Sequence, residues 1–498
     1  MSRIPDGDRT IGLDAGFRGN DRLLCGIILG VLTFWLFAQT TLNIAPDMGR
    51  DLGIGASMMN TAVAMTALFS GIFMVVIGGL ADRLGRVRVV RIGFYLSILG
   101  SLLVGFAPAN FLASSFLLTG RALQGLSGAC IMPASLALVK TYWNGAARQR
   151  AVSLWSIGSW GGSGVSALFG GLVTQSLGWR YIFFASVVVA LLGLVLMRGT
   201  PESRTTGSTT YCFDFAGVAT FMIAMVALQI VVTQGGKFGW TSLPVIVLVA
   251  VALVAGSLFV HIEKGTSTAF VDFSLFSNAT YTGATLSNFL LNAAAGTMIV
   301  SLQLVQLGGN MTAQQAGVLT LGYAIAIIAF IRVGEKLLQR FGARKPMVWG
   351  CLITGIGILF LSPANLLLQD YRILAVIGYT FYGVGLAFYA TPSTDAALSS
   401  LPENQAGAGS GIYKMASSLG AAFGVAISAT IFTILSSNTG SAFWMDGVIT
   451  FYGRQDNQAV RAAAMIALMF NVFMVAVALL SIVLTIPAGK AAQEEGTV

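Results

Sequence analysis

Residues 78–86 read Gly78-Gly79-Leu80-Ala81-Asp82-Arg83-Leu84-Gly85-Arg86, a lone acid among glycines and arginines. The apolar runs on either side, 57–80 and 89–107, approach the length of about 20 residues that a membrane-crossing helix needs. Further outward the pattern repeats. Runs at 23–45, 112–140, 151–175 and 179–197 complete an amino-terminal set of six. A polar linker around Pro201–Thr210 leads to 214–234 and 243–262. A second set follows at 282–306, 313–333, 346–363, 371–398, 406–435 and 463–487. The spacing therefore predicts an all-α integral membrane chain of about fourteen transmembrane helices. Composition agrees, with 56% of the 498 residues hydrophobic and 9% charged, against roughly 25% charged in a soluble domain. Lipid must be the main solvent of such a chain.

The formal charge of +9 is distributed by side rather than by patch. With the amino terminus in the cytoplasm, about 20 of the 28 Lys and Arg fall in cytoplasmic segments, the positive-inside pattern. No nucleic-acid partner is expected from it. Cys25, Cys130, Cys212 and Cys351 lie in or beside spans without metal-ligand spacing, so neither a metal nor a cofactor is expected. The stretch before Leu23 has no cleavable-signal pattern, and the first helix serves as its own insertion signal. The glycine-rich run Gly158–Gly164 has no following Lys and lies inside a span, so it is no phosphate loop. The lone His261 sits at a span end. No nucleophile–base set and no ATP-binding domain is visible, so an enzyme is not expected. Energy must come from an ion gradient or a partner subunit.

Internal repetition is plain. The fifth span carries Gly158, Gly162, Ser166 and Gly170 at spacing four, and the thirteenth carries Ala416, Gly420, Gly424 and Ser428 at the same spacing. Such stripes let a neighbouring backbone come close. Gly125, Ala129 and Pro133 correspond to Gly383, Ala387 and Pro392, with one residue inserted. The loop at 336–345 repeats Arg83 and Gly85 as Arg340 and Gly342, with Gln339 in place of Asp82. The expected organisation is a cytoplasmic segment 1–22, a six-helix bundle 23–198, and a linker with two extra helices over 199–264. A second six-helix bundle 265–488 follows, with an extracellular loop 436–461, and then a cytoplasmic tail 489–498. Two repeats around a midplane site are the architecture of alternating-access carriers.

These residues resemble the major facilitator superfamily, in particular its fourteen-helix drug:proton antiporter branch. Residues 78–86 are similar to that superfamily's signature loop, Arg121-Ala-Leu-Gln-Gly125 to its fourth-helix motif, and Gly178–Phe184 to the entry into its sixth helix. Phe34–Gln39 and Ser156–Gly162 look closest to the Nor-type quinolone exporters. Two departures stand out. The fifth-helix motif of the family has a Pro where Ala167 stands before Gly170-Gly171, which implies a less kinked helix. The first-helix acid of many members is absent, with Gln39 and Thr40 in that region.

The resemblance implies a conformational latch at Gly79, Asp82, Arg83, Gly85 and Arg86; otherwise that loop only fixes topology by its charge. It implies a helix-packing motif at Gly158, Gly162, Ser166, Gly170 and Gly171. Arg121 resembles an arginine the family uses in proton coupling. As an intramembrane charge it marks a function or a partner by default, or else snorkels to the outer surface. Asp395 and Lys414 flank the loop between consecutive helices, either as a structural ion pair or with Asp395 carrying a proton. Asp47 and Asp214, near span ends, are further titratable candidates. Trp35, Gln39, Gln124 and Tyr413 are the substrate-binding candidates, since a pocket for flat amphipathic drugs is apolar with a few polar groups; each could equally serve packing. The expected function is proton-coupled efflux of amphipathic compounds such as quinolones. The partners are small molecules, protons and the bilayer, in a functional monomer of a bacterial inner (plasma) membrane with both termini cytoplasmic. The alternatives are a carrier for one cellular metabolite, or a receptor or scaffold that keeps the fold without transport.

Overall fold

The computed structural model describes residues 17–204, 214–265, 273–437, 449–454 and 456–488. Among these, fourteen helices carry the chain. The first half holds α1 (residues 21–52), α2 (Ala56–Leu84), α3 (Arg86–Gly105), α4 (Ala113–Tyr142), α5 (residues 145–176) and α6 (Arg180–Leu196). The pair α7 (Phe215–Phe238) and α8 (Leu243–Gly265) follows. The second half holds α9 (Ala279–Gly308), α10 (residues 313–341), α11 (Arg344–Leu361), α12 (Leu368–Ser399), α13 (Ala406–Ser437) and α14 (Gln458–Thr485). Twelve are individually long and apolar enough to cross a membrane. The other two are α5 and α6, which turn on each other by 115° between Ser176 and Arg180.

Local chemistry sets the helix ends. Asn20, Asp214 and Asn278 cap α1, α7 and α9 through side-chain oxygens that accept from Leu23, Gly217 and Tyr281 N–H groups, as expected of short polar residues at that position. The turn after α2 needs Gly85 at φ +114° and the turn after α10 needs Gly342 at φ +74°, a region that side chains avoid. The two glycines paired in sequence thus perform the same backbone task. Inside α5 a π turn at Ile157–Gly161 interrupts the α pattern, so irregularity persists there without the family's proline. Another interrupts α1 at Thr33–Ala38.

Packing repeats between the halves. In the first, α4 packs on α2 and α3; in the second, α12 packs on α10 and α11. Across the halves, α2 meets α13 and α5 meets α10. The extra helix α7 lies against both α2 and α13, while most of α8 is exposed. Of the loop 436–461, residues 438–448 and 455 fall outside the described residues. In the rest, the Tyr452 N–H donates to the Asn365 carbonyl at 2.8 Å, and Arg461 lies over the Phe451 ring.

The small-residue stripes face neighbouring backbone and side chains. On α5, a Cβ at Gly158 would stand 3.3 Å from Val31, one at Gly162 3.4 Å from Trp35, and one at Gly170 would strike Thr40. The Ser166 carbonyl accepts from the Thr40 hydroxyl at 3.1 Å. Gly171 does not belong to this contact, because a Cβ there would meet nothing within 4 Å. On α13, Gly420 and Gly424 lie against the Phe289 and Ala293 carbonyls of α9. Gly424→Leu is therefore expected to destabilise the protein by about 3 kcal/mol or more through overpacking against fixed backbone. Gly171→Leu should leave the melting temperature in detergent unchanged. Equal melting temperatures for the two variants would refute the packing role of the α13 stripe.

Candidate functional site

The ends of α2, α4, α10 and α12 and the starts of α3, α5, α11 and α13 gather at one face, here termed the basic end for its Arg83, Arg86, Lys140, Arg148 and Arg344. Asp82, 4% exposed in the last turn of α2, reaches across to the start of α13. Its carboxylate accepts from the Gly407 N–H at 2.8 and 2.9 Å and from the Ala408 N–H at 3.1 Å. A helix N-terminus presents unpaired N–H groups and a positive dipole end to an anion. Arg86, one turn on, donates to Asp82 at 2.9 Å, to Thr141 at 2.5 Å, and to the Glu403 carbonyl at 2.6 Å in the loop before α13. The close helix approach falls on Gly78, where a Cβ would lie 2.5 Å from the Gly407 carbonyl oxygen. Gly79, read from sequence as the latch glycine, is buried beside it. Gly85 makes room for Glu202, whose carboxylate accepts from the Val87 and Arg88 N–H groups at 2.8 and 3.0 Å and so caps α3. Arg83 is half-buried in the same turn.

Two more cations bond across the halves here. Lys140, at the end of α4, donates to the carbonyls of Leu398, at 2.6 Å, and Leu401, a cation placed at the C-terminal end of α12. Arg148, in the first turn of α5, pairs with Asp395 of α12 at 3.0 Å. The loop 399–405 is thereby held at both ends, by an ammonium on one helix terminus and a carboxylate on the other. The expected Asp395–Lys414 pair is corrected: the carboxylate of Asp395 is taken by Arg148, 247 residues away in sequence. Sequence reading missed Lys140, Arg148 and Glu202. Arg148 did leave a signal, since a cation in the first turn of a helix opposes the dipole and calls for an external anion.

Deeper in the bundle lies Arg121, fully buried on α4. It donates to the Ala38 carbonyl of α1 at 2.8 Å, the Ala62 carbonyl of α2 at 3.2 Å and the Gln124 side chain at 2.7 Å. It therefore does not snorkel. Gln124 in turn donates to Ser101 at 3.2 Å. That network places Gln124 in helix packing, and it is corrected as a free cavity-lining group. Trp35 and Gln39 are half-buried on α1, and the Trp35 indole N–H is buried without a hydrogen-bond partner. The Tyr413 hydroxyl is tied to Ser393 at 2.9 Å, and Ser393 to Tyr389 at 2.9 Å. Lys414 rests over the Trp155 ring of α5, 4.4 Å from its centroid. Asp47 stands apart from all of these: it is half-exposed at the opposite end and paired with Arg50. Asp214 is occupied as the α7 cap. Among the described residues no cluster of His, Cys, Asp and Glu could hold a metal ion.

The described geometry is that of two helical halves bolted at one end by breakable polar bonds. The family model for the Major Facilitator Superfamily matches residues 27–279 and 279–453. Over 444 residues the chain is 47% identical to quinolone resistance protein NorB of Staphylococcus aureus strain MRSA252, covering 87% of this chain and 95% of that one. The NorB of strain Newman is 46% identical with the same coverage. Among solved structures, the proton:xylose symporter XylE bound to 6-bromo-6-deoxy-D-glucose aligns with a TM-score of 0.63 at 16% identity, over 95% of this chain and 96% of that one. The human organic anion transporter MFSD10 aligns with a TM-score of 0.57 at 13% identity, over 91% and 98%. At those identities the two structures share the fold.

Proposed function

Because the chain belongs to the Major Facilitator Superfamily, we propose that it exports amphipathic, quinolone-like drugs in exchange for protons by alternating access. In this reading it sits in the plasma membrane as a multi-pass monomer, with the basic end and both termini in the cytoplasm. The observation that carries the reading is the set of cross-half bonds around loop 399–405: Asp82 on the α13 terminus, Lys140 on the α12 terminus, and Arg148 on Asp395. They hold the cytoplasmic side shut and leave the outward-facing state favoured. Hydrogen bonds to charged groups contribute about 1.5–3 kcal/mol each, so one change of charge is enough to move the balance. Identity to the quinolone resistance proteins supports the substrate class.

Asp395 is the proposed proton-responsive group. Neutralised by a proton arriving from outside, it no longer holds Arg148, and the cytoplasmic side can open. Release of that proton inside and loading of drug reset the pair. Arg121 keeps its charge throughout and positions α1, α2 and α4 around the pathway. The test is norfloxacin flux in proteoliposomes under an imposed pH gradient. Wild type is expected to move the drug against its gradient, and Asp395→Asn to lose the pH dependence while still binding drug. If the variant stays fully coupled, the proton is carried elsewhere. If wild type moves only a single cellular metabolite, or nothing, the chain is a specific carrier or a non-transporting receptor instead.

A further inference from the structure

Among the described residues five cations are buried: Arg86, Arg121, Lys140, Lys414 and Arg461. Four of them are met by oxygen. Arg86 has its carboxylate and hydroxyls, Arg121 two carbonyls and an amide, and Lys140 two carbonyls. Arg461 donates to the Ala364, Leu366 and Arg454 carbonyls. Lys414 is the exception. The residue is 3% exposed, and among the described residues its ammonium contacts only two aromatic faces. These are Trp155, 4.4 Å away in the other half, and the neighbouring Tyr413 at 5.7 Å. A cation over an aromatic ring recovers only part of what burial costs it. Among the described residues no carboxylate is paired with Lys414, and Asp395 on the preceding helix is held by Arg148.

Both rings are fixed in place. The Trp155 indole N–H donates to Ser135 at 2.9 Å, and the Tyr413 hydroxyl bonds Ser393. The two residues occupy matching positions on α5 and α13, three before Gly158 and Ala416 of the paired stripes. Trp155 and Lys414 belong to opposite halves, so the rocking that opens the basic end would draw the indole off the ammonium. The cation would then face the pathway with a flat aromatic surface beside it.

We propose that Lys414 is the site that binds the carboxylate of the exported compound, with Trp155 and Tyr413 flanking the ring that bears it. The ligand class is an aromatic carboxylate, zwitterions included. The inference deepens the proposed drug export and rests on that reading for its direction of transport, though not for binding. An ammonium can offer three donors to a carboxylate; a charge-assisted hydrogen bond is also about twice as strong as a neutral one.

The test uses the full chain in detergent and measures binding of two matched pairs: norfloxacin and its methyl ester, and 2-naphthoate and its methyl ester. Wild type is expected to bind the acids about tenfold or more tighter than the esters. Lys414→Met should weaken the acids about tenfold and leave the esters within about twofold, and Lys414→Arg should keep most of the preference. Lys414→Met should also melt no lower than wild type, because removing an uncompensated buried charge relieves a cost. A wild type that prefers neither acid overturns the proposal, as does a Lys414→Met variant that weakens acid and ester alike. A wild type that ignores norfloxacin but prefers naphthoate through Lys414 upholds the carboxylate site and overturns the quinolone reading.

Discussion

Asp82→Asn is expected to reduce drug transport about tenfold or more and to open the basic end. The substitution keeps the side chain's shape and one acceptor oxygen but removes the charge. Two N–H groups of α13, those of Gly407 and Ala408, and the Arg86 guanidinium converge on that carboxylate. An anion at a helix N-terminus contributes about 0.3–2 kcal/mol, and each charge-assisted hydrogen bond about 1.5–3 kcal/mol. Losing even 3 kcal/mol from one of two states shifts their ratio by about a hundredfold. Spin labels at Arg88 and Asn404, both exposed beside the latch, should report a longer and broader distance distribution in the variant. Cys25 must be replaced first, because it is exposed. Stability should change little, since the latch joins two halves rather than building either one. An unaltered distance distribution with intact transport would show that Asp82 fixes topology and gates nothing.

Much of this architecture is readable in the sequence, for reasons that are local. Helix spans follow from apolar length, and the spacing-four stripes follow from what close backbones demand; Gly424 against the Ala293 carbonyl is the direct outcome. Gly85 and Gly342 could be paired in sequence because both turns need a backbone conformation few other residues adopt. What fails is pairing at a distance. Lys414 is near Asp395 in sequence, on the next helix, yet Arg148 of the other half takes the carboxylate. Sequence proximity favours neighbours, whereas the bonds at the basic end join one half to the other. Gln124 fails differently: an amide on an inner helix invites a cavity-lining reading, but a buried guanidinium one turn away claims it first. Gly171 shows the limit of a motif, since the second glycine of the pair meets open space.

Arg121→Leu is expected to cut transport about a hundredfold while leaving the protein folded. The guanidinium joins α1, α2 and α4 through the Ala38 and Ala62 carbonyls and Gln124, and among the described residues no carboxylate is paired with it. Two opposing terms decide its stability effect. Removing a buried charge that lacks a counter-ion recovers several kcal/mol of desolvation. The three acceptors left behind cost about 1–3 kcal/mol each unless water or a shift of Gln124 satisfies them. Near-cancellation predicts a melting temperature within a few degrees of wild type, so a large loss of transport could not be blamed on unfolding. Arg121→Lys separates geometry from charge. A single ammonium lacks the planar fork that spans carbonyls on two different helices, so it should restore no more than about a tenth of the lost rate. If Arg121→Leu melts far below wild type, Arg121 is a structural staple of the first half. If Arg121→Lys restores full transport, positive charge alone is what the pathway requires, and the three-helix geometry around Arg121 is incidental to coupling.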